Sequence, residues 1–261
     1  MQKTPVTLPL CTFPAELHSL IDGAALYDSS CSPDAAVWFI DKDGGYYLKR
    51  AAGGTLAQEA QMTRYFNSIA QGVEVLQYIC AEQDWLLTRA AAGEDCTHLS
   101  YLAQPERLAQ LLGMQLRTLH ELPAANCPVK NSTALYLSRL REGYEKGLFD
   151  PSMRIFDDLP AEREACYRFA MQRAPLLRAD TLIHGDYCLP NVVLKDWRFS
   201  AFIDVAHGGV GDRHIDLFWG IWSLRHNLGT DRYTERFLAA YGQDKVDMLR
   251  LRTVACMECF G

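Results

Sequence analysis

The chain has 261 residues, a formal net charge of −6 at pH 7, and 49% hydrophobic residues. This composition is ordinary for a globular protein and excludes a disordered or collagen-like chain. The length indicates one or two domains. The acidic charge argues against a nucleic-acid-binding protein, which normally carries a basic stripe. It is compatible with a cationic partner, although surface solubility accounts for it equally well.

Nothing in the sequence predicts a membrane segment or an export signal. The longest apolar run near a helix, residues 217–224, is far shorter than the ~20 residues that a transmembrane helix needs. The N-terminal region contains Pro5, Pro9 and Pro14 and lacks the basic and apolar pattern of a signal peptide. We therefore expect a cytoplasmic protein.

The cysteines agree with that location. There are nine of them, an odd and scattered set, which is not the pattern of a disulfide framework. Cys256 and Cys259 form a C-x-x-C pair, but zinc needs two further ligands at a matching spacing. We interpret this pair as two thiols on a helix face.

The first part of the chain predicts a β-rich lobe with one helix. The turn signal Asp41-Lys42-Asp43-Gly44-Gly45 separates the two arms of a hairpin. Residues 55–70 contain neither Pro nor Gly and show helical spacing of apolar residues. Strands are predicted at residues 35–40, 46–49, 73–80 and 85–88. The connector of small residues at 90–93 marks a lobe boundary, which divides the chain into 1–92 and 93–261.

The second part of the chain predicts a larger helical lobe. Leu108, Leu111, Leu112, Leu116 and Leu119 recur every three or four residues and form one apolar stripe. Further helices are predicted at residues 134–149, 161–178, 217–228 and 233–260. Two short apolar runs, residues 181–184 and 199–205, predict buried strands that deliver residues to a site. The fold class is therefore α+β.

Each of these two strands ends in an acidic residue. Asp186 follows the first strand, Asn191 lies five positions later, and Asp204 ends the second strand. Taken singly, each Asp would more often be a turn residue. The order Asp-x4-Asn and then a strand-ending Asp matches the template for phosphoryl transfer. In that template Asp186 accepts a hydroxyl proton, and Asn191 and Asp204 bind Mg²⁺ through oxygen atoms. His184 is expected to orient the loop.

The same chemistry needs a cation for the phosphates of the nucleotide. Lys49 ends the second hairpin arm and Glu59 lies in the following helix, so the two could form an ion pair. No glycine-rich G-x-G-x-x-G loop is present. The hairpin tip at residues 30–36 instead contains small residues and Ser32, whose hydroxyl could donate to a phosphate oxygen.

At this point the sequence resembles the aminoglycoside phosphotransferases, and most closely their 3′-phosphotransferase branch. The strongest stretch is His184-Gly185-Asp186-Tyr187-Cys188-Leu189-Pro190-Asn191. Other matching stretches lie at residues 30–37, 47–49, 84–87, 116–120, 127–128, 199–204 and 211–216. The resemblance thus covers nearly the whole chain.

The resemblance implies a two-lobed protein-kinase-like fold with a small β-rich N-lobe and a larger helical C-lobe. It implies ATP or GTP as the donor, Mg²⁺ as the metal, and the roles already assigned to Asp186, Asn191 and Asp204. Tyr47 would stack on the nucleobase. The hinge from Thr88 to Ala91 would form hydrogen bonds with the same nucleobase.

For the acceptor, the resemblance implies a hydroxyl group of an aminoglycoside antibiotic, as in resistance enzymes. Asp157 and Asp158 fall where the family has an acidic substrate-binding loop, and Glu258 and the carboxylate of Gly261 fall at its acidic C-terminus. The sequence departs from the family pattern on this side. An Arg is replaced by His207, and charged residues of the next helix by Trp222, Ser223, His226 and Asn227.

Other functions stay open at this point. A related kinase could act on another amino sugar, amine or sugar alcohol, since the acceptor side has fewer acids than the family pattern. A metallohydrolase would use the histidines and aspartates between residues 184 and 216, but it leaves Lys49 and Glu59 without a role. A non-catalytic binding protein with this fold would not need the complete set of Asp186, Asn191, Asp204 and Lys49.

Overall fold

The computed structural model describes residues 3–261. Its strands are β1 (Thr4–Val6), β2 (Ala25–Asp28), β3 (Ala35–Asp41), β4 (Tyr46–Ala52), β5 (Val75–Cys80), β6 (Gln83–Arg89), β7 (Glu94–Asp95), β8 (Thr181–Ile183), β9 (Val192–Lys195), β10 (Arg198–Phe202) and β11 (Gly209–Gly211). Its α-helices are α1 (His18–Ile21), α2 (Ala57–Ser68), α3 (Leu99–Leu102), α4 (Pro105–His120), α5 (Ser132–Glu145), α6 (Arg163–Arg173), α7 (Arg213–Leu228), α8 (Thr234–Tyr241) and α9 (Met248–Met257).

The chain forms two compact units. Unit 1 contains the residues up to Glu94 together with Val193–Ala206, and unit 2 contains Asp95–Val192 and His207–Gly261. The sequence-based division at 92/93 placed residues 193–206 in the second lobe. The segment lies in unit 1 because the N–H of Phe202 donates to the carbonyl of Gln71 at 2.8 Å, and the Phe202 ring packs edge-on against Phe66.

Unit 1 is built on a six-stranded antiparallel sheet in the order β1-β2-β3-β4-β6-β5. The predicted hairpin is its centre: β3 and β4 pair with Val37 opposite Lys49. Gly44 and Gly45 have φ angles of 91° and 95° in the connecting turn, a region that favours glycine. The edge strand β1 and its neighbour β2 lie outside the predicted elements.

The sheet buries one face against the N-terminal segment and the other against α2. On the first face, Trp38 and Trp85 stack with their ring centroids 6.0 Å apart, and Phe13 packs edge-on against both. On the second face, Leu86 packs with Leu56 and with Ala60 of α2. The sheet and α2 together therefore hold β4 in a rigid frame.

Unit 2 is mainly helical, as predicted. The leucine stripe lies on α4, where Leu108, Leu112, Leu116 and Leu119 are fully buried and Leu111 is half-buried. Helix α4 packs against α8 and α7, and α9 packs against α6 and α7. Within residues 3–261, no helix is both long enough and apolar enough to cross a membrane.

The two short strands that were predicted to deliver site residues belong to different sheets. In unit 2, β8 pairs antiparallel with β11, with Leu182 opposite Val210. In contrast, β10 lies beside β9, in a three-stranded sheet with the order β10-β9-β7. The turn between β9 and β10 contains Asp196 and Trp197, both with positive φ.

The predicted helical tail over residues 233–260 is divided into two α-helices, α8 and α9. Helix α8 ends at Gly242, which has a φ angle of 107°. Asp247 then starts α9, because its side chain accepts hydrogen bonds from the N–H groups of Leu249 and Arg250. Cys256 lies on α9 and Cys259 in the 3-10 turn that follows, and both are buried.

The contact between α4 and α8 depends on Gly113, because a Cβ atom there would lie 2.3 Å from the carbonyl oxygen of Phe237. We expect Gly113→Ala to lower the free energy of unfolding by about 1–3 kcal/mol, as overpacking does. Met114→Ala, at an exposed position of the same helix, should stay within about 0.5 kcal/mol of the wild type. Urea denaturation measures both, and equal stability of the two variants would contradict this packing.

Candidate functional site

In unit 1, three predicted residues form one ion cluster. The Lys49 Nζ atom lies 2.7 Å from Glu59 Oε2 and 3.0 Å from Asp204 Oδ1. Lys49 is on β4, Glu59 on α2, and Asp204 two residues beyond β10. The expected Lys49–Glu59 pair is therefore present, and the structure adds Asp204 as a second anionic partner.

The environment keeps the Lys49 side chain cationic. Burial alone would lower the pKa of Lys49, but the charges of Asp204 and Glu59 outweigh it and raise the pKa. Asp204 has a φ of 56°, a left-handed conformation that is uncommon for a residue other than glycine. Its side chain nevertheless stays 47% exposed. This strained residue thus presents a carboxylate that a ligand can reach.

The residues predicted to bind a nucleobase share one region of the same sheet. Tyr47 on β4 lies directly opposite Thr88 on β6, and the Tyr47 ring is 5.2 Å from that of Phe39. Ala91 follows β6 and is half-buried. Ser32 is exposed at the hairpin tip, where its hydroxyl accepts a hydrogen bond from the N–H of Asp34 at 3.2 Å.

In unit 2, the loop after β8 brings Asp186 and Asn191 together. Asn191 Nδ2 donates to Asp186 Oδ2 at 2.8 Å and to its backbone oxygen at 3.0 Å. His184 Nδ1 accepts from the N–H of Asp186 at 3.3 Å, a contact that orients the loop. The Asn191 amide thus fixes the carboxylate through its nitrogen, which directs its Oδ1 atom away from this contact.

Asn191 and Asp204 carry oxygen atoms of the kind that bind hard divalent cations. An amide oxygen and a carboxylate are the ligands that Mg²⁺ prefers. Asp204 is exposed and lies beside the Lys49 ammonium group.

The sequence analysis did not predict that Asp216 holds the Asp186 loop in place. The buried carboxylate of Asp216 accepts from the N–H groups of His184 and Gly185, both at 2.7 Å. His120 Nε2 is 3.0 Å from the same carboxylate, and burial lowers the pKa of His120, which favours the neutral ring as a donor. The sequence does contain a signal for this role, because Asp216 lies between the apolar residues Ile215 and Leu217 on a helix. An acid at such a position is expected to be buried, and a buried acid needs hydrogen-bond donors.

Gly185 is a second residue that determines the conformation of this loop. It has a φ of 85°, and a Cβ atom there would lie 2.2 Å from the backbone oxygen of His207. That oxygen accepts a hydrogen bond from the hydroxyl of Ser132 at 2.8 Å. Only glycine therefore fits between β8 and the catalytic candidate Asp186.

Asp212 and His214, two of the residues behind a possible metallohydrolase, are engaged in structural contacts. Asp212 caps α7 and contacts His214 Nδ1 at 2.6 Å and Arg250 Nη1 at 3.0 Å. Burial by itself would raise the pKa of Asp212, but the hydrogen bonds and charge of His214 lower that pKa to about 2. Across residues 3–261, no group of three or more His, Cys, Asp or Glu side chains is arranged to hold a metal ion.

A cavity of about 350 Å³ opens beside Asp186 within unit 2. Its walls come from α5, the Asp186 loop, α7 and the C-terminal segment. The lining residues are Tyr136, Arg139, Leu140, Glu142, Gly143, Lys146, Leu148, Gly185, Asp186, His207, Trp219, Met257, Glu258, Phe260 and Gly261. The structure therefore brings Asp186, Glu258 and Gly261 together.

Asp157 and Asp158 are not among the residues that line this cavity. Both are exposed, and Asp158 Oδ2 forms an ion pair with Arg252 Nη1 at 2.6 Å. The acidic loop is thus held against α9, and the structure does not place it with Glu258 and Asp186.

Glu258 is a buried acid in the cavity wall. The residue is 7% exposed, and the side chains of Tyr136 and Trp219 act as hydrogen-bond donors to its carboxyl group. Burial, reinforced by the negative charge of Asp186, raises the pKa of Glu258 to about 8. The neighbouring segment is firmly packed, because Phe260 lies against the rings of Tyr144, Phe149 and Tyr167.

The chain is similar to known phosphotransferases over most of its length. Residues 26–253 match the model of the phosphotransferase enzyme family. A probable aminoglycoside 3′-phosphotransferase of Lactococcus lactis is 43% identical over 95% of each chain. An aminoglycoside 3′-phosphotransferase of Niallia circulans is 33% identical over 65% of this chain and 64% of its own.

Solved structures show the same fold. An aminoglycoside phosphotransferase of Streptomyces rimosus, in complex with ADP and streptomycin, superposes with a TM-score of 0.74 over 97% of this chain and 99% of its own, at 23% identity. A type VIII aminoglycoside 3′-phosphotransferase gives a TM-score of 0.73 over 94% and 97% of the two chains, also at 23% identity. The predicted α+β kinase-like fold is confirmed.

The role of Asp216 can be tested without reference to any reaction. In Asp216→Asn, an amide NH₂ replaces one acceptor oxygen opposite two backbone donors and His120, so we expect a loss of about 1–3 kcal/mol in the free energy of unfolding. Amide hydrogen exchange at Gly185 should also accelerate. The control is the exposed Asp231→Asn on the surface. Unchanged exchange at Gly185 would show that Asp216 does not hold this loop.

Proposed function

Because the chain belongs to the phosphotransferase enzyme family, we propose that it transfers the γ-phosphoryl group of ATP or GTP to a hydroxyl group of an aminoglycoside. The observation that carries the proposal is the position of Asp186, held by Asn191 in the wall of a cavity large enough for a sugar ring. The 43% identical relative is itself named a probable aminoglycoside 3′-phosphotransferase.

Asp186 is the catalytic base of the proposed reaction. Its carboxylate accepts the proton of the acceptor hydroxyl as the oxygen attacks the γ-phosphorus. The Asn191 amide restrains Asp186 Oδ2, and Asp216 fixes the backbone immediately before it. This positioning matters because a carboxylate must be within hydrogen-bond reach of the proton that it removes.

The cation of Lys49 binds the phosphates of the nucleotide. Glu59 is 7% exposed and its contact with Lys49 Nζ at 2.7 Å holds the ammonium group in one orientation. Tyr47 stacks on the nucleobase, the segment from Thr88 to Ala91 hydrogen-bonds it, and Ser32 contacts a phosphate.

Asn191 and Asp204 would hold Mg²⁺. When bound, the ion neutralises charge on the phosphates and orients the transferred group. On the protein side, Lys49 holds the Asp204 side chain in place before the ion binds, since their contact is 3.0 Å.

The acceptor occupies the cavity beside Asp186, with Glu258 and Gly261 in its wall. Asp157 and Asp158 would contact amino groups that extend beyond it, and for Asp158 this requires exchange of the ion pair with Arg252. A second candidate acceptor class is another amino sugar, amine or sugar alcohol. The observation that favours it is the pair of cationic side chains, Arg139 and Lys146, in the same cavity.

The acceptor class is tested by nucleotide turnover. With ATP and Mg²⁺, we expect release of ADP to depend on addition of kanamycin or neomycin, and mass spectrometry should show one added phosphoryl group on the antibiotic. A parallel series of amino sugars and sugar alcohols serves as the comparison. Turnover with a member of that series and none with the two antibiotics would reject the aminoglycoside assignment.

The base is tested by Asp186→Asn, which removes the proton acceptor but retains the size of the side chain. We expect kcat to fall by about 10²- to 10⁴-fold, the usual contribution of a general base. Binding of ADP, measured by calorimetry, should change by less than about twofold because Lys49, Tyr47 and Ser32 are untouched. Asp231→Asn should behave as wild type, and a similar kcat in both variants would remove Asp186 from the reaction.

A further inference from the structure

We propose that Cys166, Cys256 and Cys259 form a redox site, in which a small peroxide joins Cys166 to one thiol of the C-x-x-C pair by a disulfide bond. The bond connects α6 to the C-terminal segment, which forms one wall of the cavity beside Asp186. This inference goes beyond the proposed function and does not depend on it, because no nucleotide and no acceptor takes part.

The first observation is a cluster of three thiols from different elements of unit 2. Cys166 lies on α6, Cys256 on α9 and Cys259 in the 3-10 turn that follows α9. All three residues are buried. The Cys166 side chain is hydrogen-bonded to the side chains of both other cysteines, and its Sγ atom lies 3.4 Å from the carbonyl oxygen of Cys256. Two possible disulfide partners are therefore in contact with one sulfur atom.

The contact between these sulfur atoms is close to a covalent arrangement. A disulfide bond has an S–S length of about 2.05 Å, so sulfur atoms in hydrogen-bond contact must approach by only about 2 Å to form one. The packing of α6 against α9 keeps the thiols together. Bond formation therefore needs a short approach of two atoms that already touch.

The three thiols differ in their tendency to ionise. The hydrogen bonds from Cys256 and Cys259 lower the pKa of Cys166, and the charge of Arg154 lowers it further, although burial opposes them. The contact with Cys166, together with burial, raises the pKa values of Cys256 and Cys259. The thiolate is the form of cysteine that reacts with oxidants. Cys166 is therefore the thiol that reacts first, and a protonated thiol lies next to it.

The oxidation has two steps. The Cys166 thiolate attacks one oxygen atom of hydrogen peroxide, the O–O bond breaks, and the products are a sulfenic acid and hydroxide. The sulfur of Cys256 or Cys259 then attacks the sulfenic sulfur, the S–O bond breaks, and the leaving hydroxide takes the thiol proton to form water. Overall, two thiols and one peroxide give one disulfide and two water molecules. Burial of the three sulfur atoms favours such a small oxidant over a bulky disulfide.

The bond restrains the cavity wall that the C-terminal segment provides. The lining residues of this wall are Met257, Glu258, Phe260 and Gly261. The turn already packs tightly against α5, because a Cβ atom at Gly143 would clash with the backbone oxygen of Phe260. A bond from Cys259 or Cys256 to α6 therefore holds this wall from a second side.

The site is tested by oxidation of the native protein and peptide mass spectrometry. Exposed thiols are blocked with N-ethylmaleimide, the protein is treated with hydrogen peroxide, and the remaining thiols are alkylated after denaturation. Trypsin releases residues 164–168, which contain Cys166, and residues 253–261, which contain the C-x-x-C pair. We expect these two peptides to be joined by a disulfide bond that dithiothreitol cleaves.

Stability and exchange measurements show the effect of the bond on the fold. Because the bond closes a long loop, we expect the oxidised protein to melt about 5–10 °C above the reduced protein, and amide exchange at residues 257–261 to slow. Cys166→Ser should abolish the difference in melting temperature. Each variant is compared with its own reduced form, so any effect of the substitution on folding cancels. Cys127→Ser, which removes a buried thiol at the carbonyl of Val129, should retain both effects.

Three results would overturn the inference. The peptide with Cys166 could stay unlinked after oxidation, the disulfide could be confined to Cys256 and Cys259, or Cys166→Ser could show the same increase in melting temperature as the wild type. None of these measurements contains a nucleotide or an acceptor. Failure of the redox site is therefore distinct from failure of the proposed phosphoryl transfer.

Discussion

The contacts of the buried carboxylate of Asp216 are the interaction on which the Asp186 loop of unit 2 depends. It accepts from the amides of His184 and Gly185, two backbone groups that precede Asp186 and would otherwise lack partners in the interior. A buried backbone amide without a partner is costly, so the loop has one low-energy path past α7. The path of the loop determines where the backbone of Asp186 lies, and Asn191 then restrains the Asp186 side chain.

The same constraint extends into the helical core. His120 links Asp216 on α7 to Tyr241 at the end of α8, because its second ring nitrogen lies 2.8 Å from the Tyr241 hydroxyl. Helix α4, which carries His120, is in turn packed closely against α8 at Gly113. The position of one catalytic candidate is thus coupled to the packing of three helices, and a small shift in that packing would be transmitted to the loop.

The carboxylates of the protein have different properties because their surroundings differ. Asp212 is buried among donors and its pKa is lowered to about 2, which makes it a permanent anion that caps α7. Glu258 is also buried, and there burial outweighs the hydrogen bonds from Tyr136 and Trp219, so its pKa is raised to about 8. Asp204 stays accessible beside Lys49. These contrasts explain why a net charge of −6 says little about the cavity beside Asp186, whose lining residues carry both signs of charge.

The sequence by itself determined the β-rich and helical parts of the chain and the main candidate residues. These features are patterns that can be read along the chain. They are the turn residues of the hairpin, the leucine stripe of α4, and the order of Lys49, Glu59, Asp186, Asn191 and Asp204. Backbone geometry and side-chain chemistry relate such patterns directly to a structure or a function. Only the tertiary structure decided that residues 193–206 pack in unit 1, that Asp158 is paired with Arg252, and that Arg139 and Tyr136 share a cavity with Glu258. These outcomes depend on contacts between residues far apart in the chain, and no spacing within one element encodes them.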